Sequence, residues 1–412
     1  MTSETTQAEL LLTCLRLEES ERKLAHLQGL TTADWVTVLE QARLHGVSPL
    51  LYWQIRNIAD HLSLPESGLS SLRSSFLNSA ARSLLLYREL AAIVSALQPQ
   101  GIPVILLKGL HLAKLVYPEP ALRHMADIDL LLRLDDLPKA VQTLQEMGYS
   151  AGREFKVGRE VTRHQHIPPL YQPGKAPVEL HWTIAAPSSP LKVDLDGLWA
   201  RAQPAEIGVC STLVLATEDL LLHLSLHLLQ DEFIGGLRRL YDIATLASRL
   251  GSQIDWTSAG QRAAAWGCQK SLFLVLHMAC QLLGATIPST TLDWLRPNDF
   301  TPQIDSLARQ RILSLTHQTP ELHPDLARLR RNKPLLVKTG TLLGTLFPYP
   351  EYVAAKYSLP PGSKKIYFYY LVRLKDLARR YGWQFWRVLR SDEEVEALAQ
   401  RENALSDWWM AG

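Results

Sequence analysis

Cysteine is scarce: four thiols in 412 residues, at positions 14, 210, 268 and 280, too few and too scattered for a disulfide framework. None stands at metal-ligand or redox spacing, so the chain reads as one from a reducing compartment. Long apolar runs are missing too. The longest uncharged stretch, 271–288, carries His277, Gln281 and hydroxyl residues at helical spacing, and reads as a buried core helix rather than a membrane span. Neither sign of charge dominates: 43 basic against 41 acidic residues give a formal net charge of +2, which identifies no partner. The opening MTSETTQAE is acidic and lacks the basic and apolar parts of a secretory signal. These absences set the expectation of a soluble, cytoplasmic protein with no membrane partner. The 47% of apolar residues allow ample core, and the length predicts two or three compact units.

What is present is concentrated between Gly101 and Trp182. An Asp-Ile-Asp triplet lies in Ala126-Asp127-Ile128-Asp129-Leu130-Leu131-Leu132. Residues two apart on a strand share a face, so Asp127 and Asp129 project together while Ile128, Leu130 and Leu132 enter a core. Two neighbouring carboxylates repel unless a cation lies between them, and Mg²⁺ is the cation that carboxylates bind together with phosphates. Upstream, Ile102–Leu107 is β-rich and runs into Lys108-Gly109, which opens a helix over about 110–116. Gly109 lets backbone approach a ligand, the helix start offers N–H groups to an anion, and Lys108 supplies a point charge for a phosphate. Arg123 is a further phosphate candidate, with a structural salt bridge as the equal alternative. Val178-Glu179-Leu180-His181-Trp182 alternates strictly, which places Glu179 and His181 on one face and the three apolar residues on the other.

The set Leu107-Lys108-Gly109, Tyr117-Pro118, Arg123, Asp127-Ile128-Asp129 and Glu179-Leu180-His181-Trp182 resembles the nucleotidyltransferase superfamily that includes DNA polymerase β. It is most similar to a bacterial branch of largely uncharacterised members. A looser helical likeness runs from Glu218 through Asp242. The resemblance implies an α+β fold: a polymerase-β-like core, a mixed sheet with helices, flanked by N- and C-terminal helical segments. It implies transfer of a nucleoside monophosphate, AMP from ATP as the commonest case, onto an acceptor hydroxyl with release of pyrophosphate. Asp127, Asp129 and Glu179 would be the metal ligands and catalytic carboxylates, with Mg²⁺, or Mn²⁺ in its place. Lys108, Gly109, Arg123 and His181 would be the nucleotide- and phosphate-binding set, with His181 alternatively bonded within the sheet. The acceptor, whether small molecule, protein or RNA, is unspecified. One departure stands out: the superfamily's usual Gly-Gly or Gly-Ser turn is replaced by Lys108-Gly109-Leu110, with Gly109 18 residues ahead of Asp127, and this leaves a catalytically silent nucleotide-binding scaffold as the alternative reading.

The remaining sequence divides into helical segments at 1–98, the core at 99–205, a helical wall at 206–300 and a basic C-terminal region at 301–412. Thr31 to Asp34 forms a capping box for a helix that Gly46 stops, and Asp255 to Gly267 echoes that spacing. A long helix follows over about 68–97, with Leu72, Leu77, Leu84, Leu85, Leu90 and Ile93 as its apolar set. Residues 136–147 read as another helix. Two or three strands are expected over 155–185 around the turn Gln172-Pro173-Gly174-Lys175, and helices from Thr217 onward. His164 and His166 share one face of an extended chain and read as surface residues, with a place on the cleft as the alternative. His223 and His227, at i, i+4 on a helix, could together hold a metal, but in a leucine-rich helix without a following Glu they read as packed, hydrogen-bonded core histidines; Arg238 with Asp242 reads as a helix-stapling pair. Residues 321–390 hold 14 basic and 4 acidic residues with interleaved aromatics. That pattern is a solvated basic face or, in a sharper reading, an RNA surface centred on Arg379 and Arg380.

Overall fold

The computed structural model describes residues 3–17, 21–152, 155–162, 164–187, 189–230, 233, 236–314, 365, 367–376, 404–405 and 407–410. The chain forms two compact units, divided at residues 315 and 316.

The first unit opens with helices α1 (Ser3–Leu15), α2 (Glu21–Gly29), α3 (Thr32–Leu44) and α4 (Ser48–Ile55), then the long α5 (Glu66–Leu97). The α3 start is a capping box: the Thr31 hydroxyl accepts from the Asp34 N–H while the Asp34 carboxylate accepts from the Thr31 N–H. Asp255 plays a different part, as the N-cap residue itself, so its spacing echo with Asp34 reflects two capping devices and not a repeat. On α5 the buried apolar residues are Leu72, Leu86, Leu90, Ile93, Val94 and Leu97, whereas Leu77, Leu84 and Leu85 are exposed. The apolar set read from sequence is thus corrected: α5 is leucine-rich on two faces, and composition cannot say which face meets the sheet.

The sheet follows. Its strands are β1 (Ile105–Leu106), β2 (Ile128–Leu131), β3 (Ser150–Ala151), β4 (Leu170–Tyr171), β5 (Val178–His181), β6 (Gln203–Ile207) and β7 (Cys210–Val214). Between them lie α6 (Lys108–Leu115), α7 (Leu137–Glu146), α8 (Val157–Glu160) and α9 (Leu195–Arg201). The strand order is β3-β4-β5-β2-β1-β7-β6, with β2 parallel to β5 and β1 parallel to β7, and the other pairs antiparallel. This is an α+β architecture with a mixed sheet. The β6–β7 hairpin has no counterpart in the sequence reading; Gly208, at φ 65°, makes its turn, but its strands lack a strict apolar alternation.

Ile128, Leu130, Leu132, Val178, Leu180 and Trp182 pack with Leu86, Leu90 and Ile93 of α5 and Leu137, Ala140 and Leu144 of α7 in one apolar core. Fully burying such side chains stabilises by about 1.5–3 kcal/mol each, so this face fixes which side of β2 and β5 turns inward. The opposite face carries Asp129, Glu179 and His181, with the buried Leu131 beside them.

A helical wall completes the unit: α10 (Thr217–Gln230), α11 (Leu237–Leu250), α12 (Trp256–Trp266), α13 (Gln269–Leu283), α14 (Ser289–Leu295) and α15 (Pro302–Leu313). The uncharged stretch expected to be a core helix is α13, buried over most of its length. Among the described residues no helix is long and apolar enough to cross a membrane.

In the second unit residues 367–376 are helical, with Leu371 exposed. Most of the basic stretch 321–390 lies outside the described residues, Arg379 and Arg380 included.

Candidate active site

The site is built on the sheet face turned away from α5. In the parallel β2–β5 register Asp129 pairs with Glu179 and Leu131 with His181, so the alternation of each strand sends Asp129, Glu179 and His181 to the same side. His181 Nε2 donates to Asp129 Oδ1 at 3.0 Å and lies 3.5 Å from Glu179 Oε2. The Leu107 N–H donates to the Asp129 carbonyl at 3.0 Å, which brings the next residue, Lys108, to the same carboxylate. Its ammonium donates to Asp129 Oδ1 at 3.3 Å. Asp129 is buried, and burial alone works to raise its pKa. The Lys108 charge and the His181 hydrogen bond outweigh that, holding the carboxyl well below the usual carboxylate range.

Asp127, two residues earlier and just ahead of β2, is half-buried and behaves oppositely. Burial and then the charges of Asp129 and Glu179 raise its pKa, with Lys108 and Arg123 offsetting only part. The cluster therefore contains repulsion that its own cations leave unrelieved.

Lys108, the first residue of α6, has a left-handed backbone, at φ 39°. For a side-chain-bearing residue this costs about 1–3 kcal/mol, a strain typical of ligand clamps. Gly109 packs closely against Met125: a Cβ there would stand 3.3 Å from the methionine side chain, which would have to give by a few tenths of an ångström.

Arg123 lines the same cleft, but its guanidinium is committed. It pairs with Asp242 of α11 at 2.9 Å and donates to the His124 carbonyl at 2.8 Å, while the Tyr117 hydroxyl donates to Asp242 at 2.8 Å. Asp242 is thus bonded to Arg123 and Tyr117, and no ion pair forms with Arg238: the i, i+4 spacing suggested that pair, but in space Asp242 meets the segment between α6 and β2.

The cleft is lined by Lys108, Arg123, Asp127, Asp129, His227, Arg238 and Arg239, among others. Burial, then the neighbouring Arg123 charge, lowers the Arg238 pKa, although it remains a cation. The sequence reading missed Arg238, Arg239 and His227 as cleft residues; the run Leu237-Arg238-Arg239-Leu240-Tyr241-Asp242, charged between apolar residues, was the available signal. His223 is buried as expected, but neither ring nitrogen has a hydrogen-bond partner, which corrects the reading of a bonded core histidine. His164 is exposed. His166, read as a surface residue, is half-buried, its ring 4.9 Å from that of His181.

A family model described as "Uncharacterised nucleotidyltransferase" matches residues 31–284, more than half of the chain and the whole of this site. The chain belongs to that family. It is a nucleotidyltransferase enzyme, and the resemblance seen in the Asp-Ile-Asp and Glu-Leu-His-Trp segments is a family relationship. No curated protein and no solved structure matches it.

Nucleotidyltransferases typically use divalent metal ions. One ligand atom each from Asp129, Glu179 and His181 lies within 4.8 Å of the others, a donor set of two carboxylates and an imidazole. With the raised Asp127 carboxyl beside them, these residues fit a divalent cation: added positive charge there would relieve the repulsion that the protein leaves standing.

Proposed function

We propose that this nucleotidyltransferase moves a nucleoside monophosphate, AMP from ATP in the first instance, onto an acceptor hydroxyl in the cytoplasm. The observation that carries the reading is that Asp127 and Asp129 line one cleft with Lys108, Arg238 and Arg239, while Asp129 also joins Glu179 and His181 in a set of possible metal ligands. Carboxylates to hold a metal and cations to hold a polyphosphate are the two requirements of this chemistry.

In the proposed site Asp127, Asp129 and Glu179, with His181 beside them, hold Mg²⁺ or Mn²⁺. The bound ion supplies neutralisation of charge on the phosphate oxygens. Lys108 fixes Asp129 in its ionised form and aligns it. Arg238 and Arg239 take the β- and γ-phosphates, a role the altered Lys108-Gly109 turn does not fill by backbone alone. The acceptor oxygen forms a bond to the α-phosphorus as the bond to the bridging α–β oxygen breaks, and the pyrophosphate carries away that electron pair. Glu179, with its side chain 21% exposed against 4% for Asp129, is the better placed base for the acceptor proton. Arg123 acts through the chain: paired with Asp242, it sets the segment that leads into Asp127.

The test is pyrophosphate release from each of the four nucleotides with Mg²⁺ or Mn²⁺, using cell lysate as a pool of acceptors. Release by the wild type and loss of at least a thousandfold in Asp127→Asn/Asp129→Asn is expected. Equal release by both proteins would sink the assignment.

A further inference from the structure

A second groove adjoins the cleft, with a volume of about 690 Å³. It is lined by Ser71, Ser74, Ser75, Asn78, Ser79 and Arg82 of α5 together with the 124–126 segment. His124 and Ala126 line both the groove and the cleft, so the two are contiguous at the residue that immediately precedes Asp127. The helix positions recur at intervals of three and four, which puts these neutral hydroxyl and amide groups on one face. A polar helix face is by default simply solvated. Two observations separate this one from that default. Ser79 is 3% exposed and its hydroxyl has no hydrogen-bond partner, although helical serines readily bond the carbonyl one turn back, as Ser83 does. Arg82 donates to the Ala126 carbonyl at 2.9 Å, so the groove wall and the catalytic strand entrance are tied together.

The chemistry of the two cavities differs. The cleft carries Lys108, Arg238 and Arg239 and suits phosphates; the groove is lined mainly by hydroxyl and amide groups that both donate and accept hydrogen bonds, with the cation Arg82 at its edge bonded to the Ala126 carbonyl, and among the described residues it holds no carboxylate. A site of serine and asparagine side chains matches a molecule that itself presents many hydroxyls. A site without carboxylates has nothing to hold a polycation. Building on the transferase reading above, we propose that this groove is the acceptor site and that the acceptor is a hydroxyl-rich molecule of sugar type, neutral or carrying phosphate, and not a polyamine or an aminosugar.

The experiment uses the full chain as Asp127→Asn/Asp129→Asn, so that binding is read without turnover. Titration calorimetry is run with glucose, glucose 6-phosphate, kanamycin and ATP, with and without the added pair Ser75→Leu/Asn78→Leu. Ser75 is half-buried and Asn78 exposed on the helix, and circular dichroism is run to check that the added pair leaves the fold intact. Binding of glucose or its phosphate, weakened at least tenfold by the leucine pair, with ATP affinity unchanged, is the expected result. Three outcomes overturn it: neither sugar binds, sugar binding ignores the leucine pair, or kanamycin is the probe that binds. Loss of ATP affinity in the leucine pair would assign the groove to the donor and overturn it as well. Failure of the wild type to release pyrophosphate would instead sink the transferase reading and leave the binding result standing.

Discussion

Asp242→Asn should destabilise the larger unit severely, and the structure says by how much. The Asp242 side chain is 1% exposed and that of Arg123 11%, so the guanidinium left behind stays in a largely dry site. Breaking a buried pair by removing one charge costs about 3–5 kcal/mol, because the surviving ion loses its partner; the charge of Asp127 offsets part of that loss here, so the lower end is expected. Asparagine keeps an oxygen for the Tyr117 hydroxyl, so this figure is assigned mainly to the charge and not to the tyrosine bond. Against a total stability of about 5–15 kcal/mol, that is a large fraction. The assay is urea unfolding of the full chain followed by circular dichroism. Replacing both partners, Arg123→Met with Asp242→Leu, leaves no orphan charge and should cost less than Asp242→Asn alone. A loss under about 1 kcal/mol for Asp242→Asn, or a double variant at least as damaging, would refute the reasoning.

Other expectations follow from the same cluster. Asp127 sits above its ordinary pKa, so the native state takes up its proton more readily than the unfolded chain. Its destabilising effect is full above the raised value and fades as pH falls through it. Asp127→Asn in chelator should therefore be more stable than wild type at neutral pH by about 0.5–2 kcal/mol, the gap closing toward the ordinary carboxylate pKa of about 4. Lys108→Gly and Lys108→Ala both remove the ammonium, so their difference in unfolding midpoint isolates the backbone; glycine should be the more stable by about 1 kcal/mol, and equality would remove the strain argument. Arg238→Met should raise the KM for nucleotide roughly tenfold or more, as expected for losing a charged hydrogen bond of about 1.5–3 kcal/mol, with the unfolding midpoint held. An unchanged KM would take Arg238 out of phosphate binding.

The strands of the site were legible because their signal is local. A period of two in Asp127-Ile128-Asp129 and Val178-Glu179-Leu180-His181-Trp182 places residues on faces with no knowledge of the partner strand. The capping box at Thr31 and the left-handed Gly46 are local in the same way. What sequence could not supply was set by tertiary neighbours. α5 carries leucines around much of its circumference, and only contact with the sheet decides that Leu86 and Leu90 are buried while Leu77 and Leu84 are not. Asp242 was read with its helical neighbour Arg238, whereas a residue 119 positions away, Arg123, takes it. The cations of the cleft come from α11, far along the chain, and no local period marks them as facing the carboxylates. Lys108 was read as a charge for phosphate; its geometry shows a charge already engaged with Asp129, on a backbone turn held left-handed.

The most direct test of nucleotidyl transfer asks which phosphorus moves. The wild-type enzyme is incubated with Mg²⁺, an acceptor pool and ATP labelled either at the α- or at the γ-phosphate, and the acceptor fraction is counted. Nucleotidyl transfer predicts label on the acceptor from α-labelled ATP alone, with the γ-label recovered in pyrophosphate, and no label from either in Asp127→Asn/Asp129→Asn. Label arriving from the γ-position would make the enzyme a phosphotransferase and contradict the account.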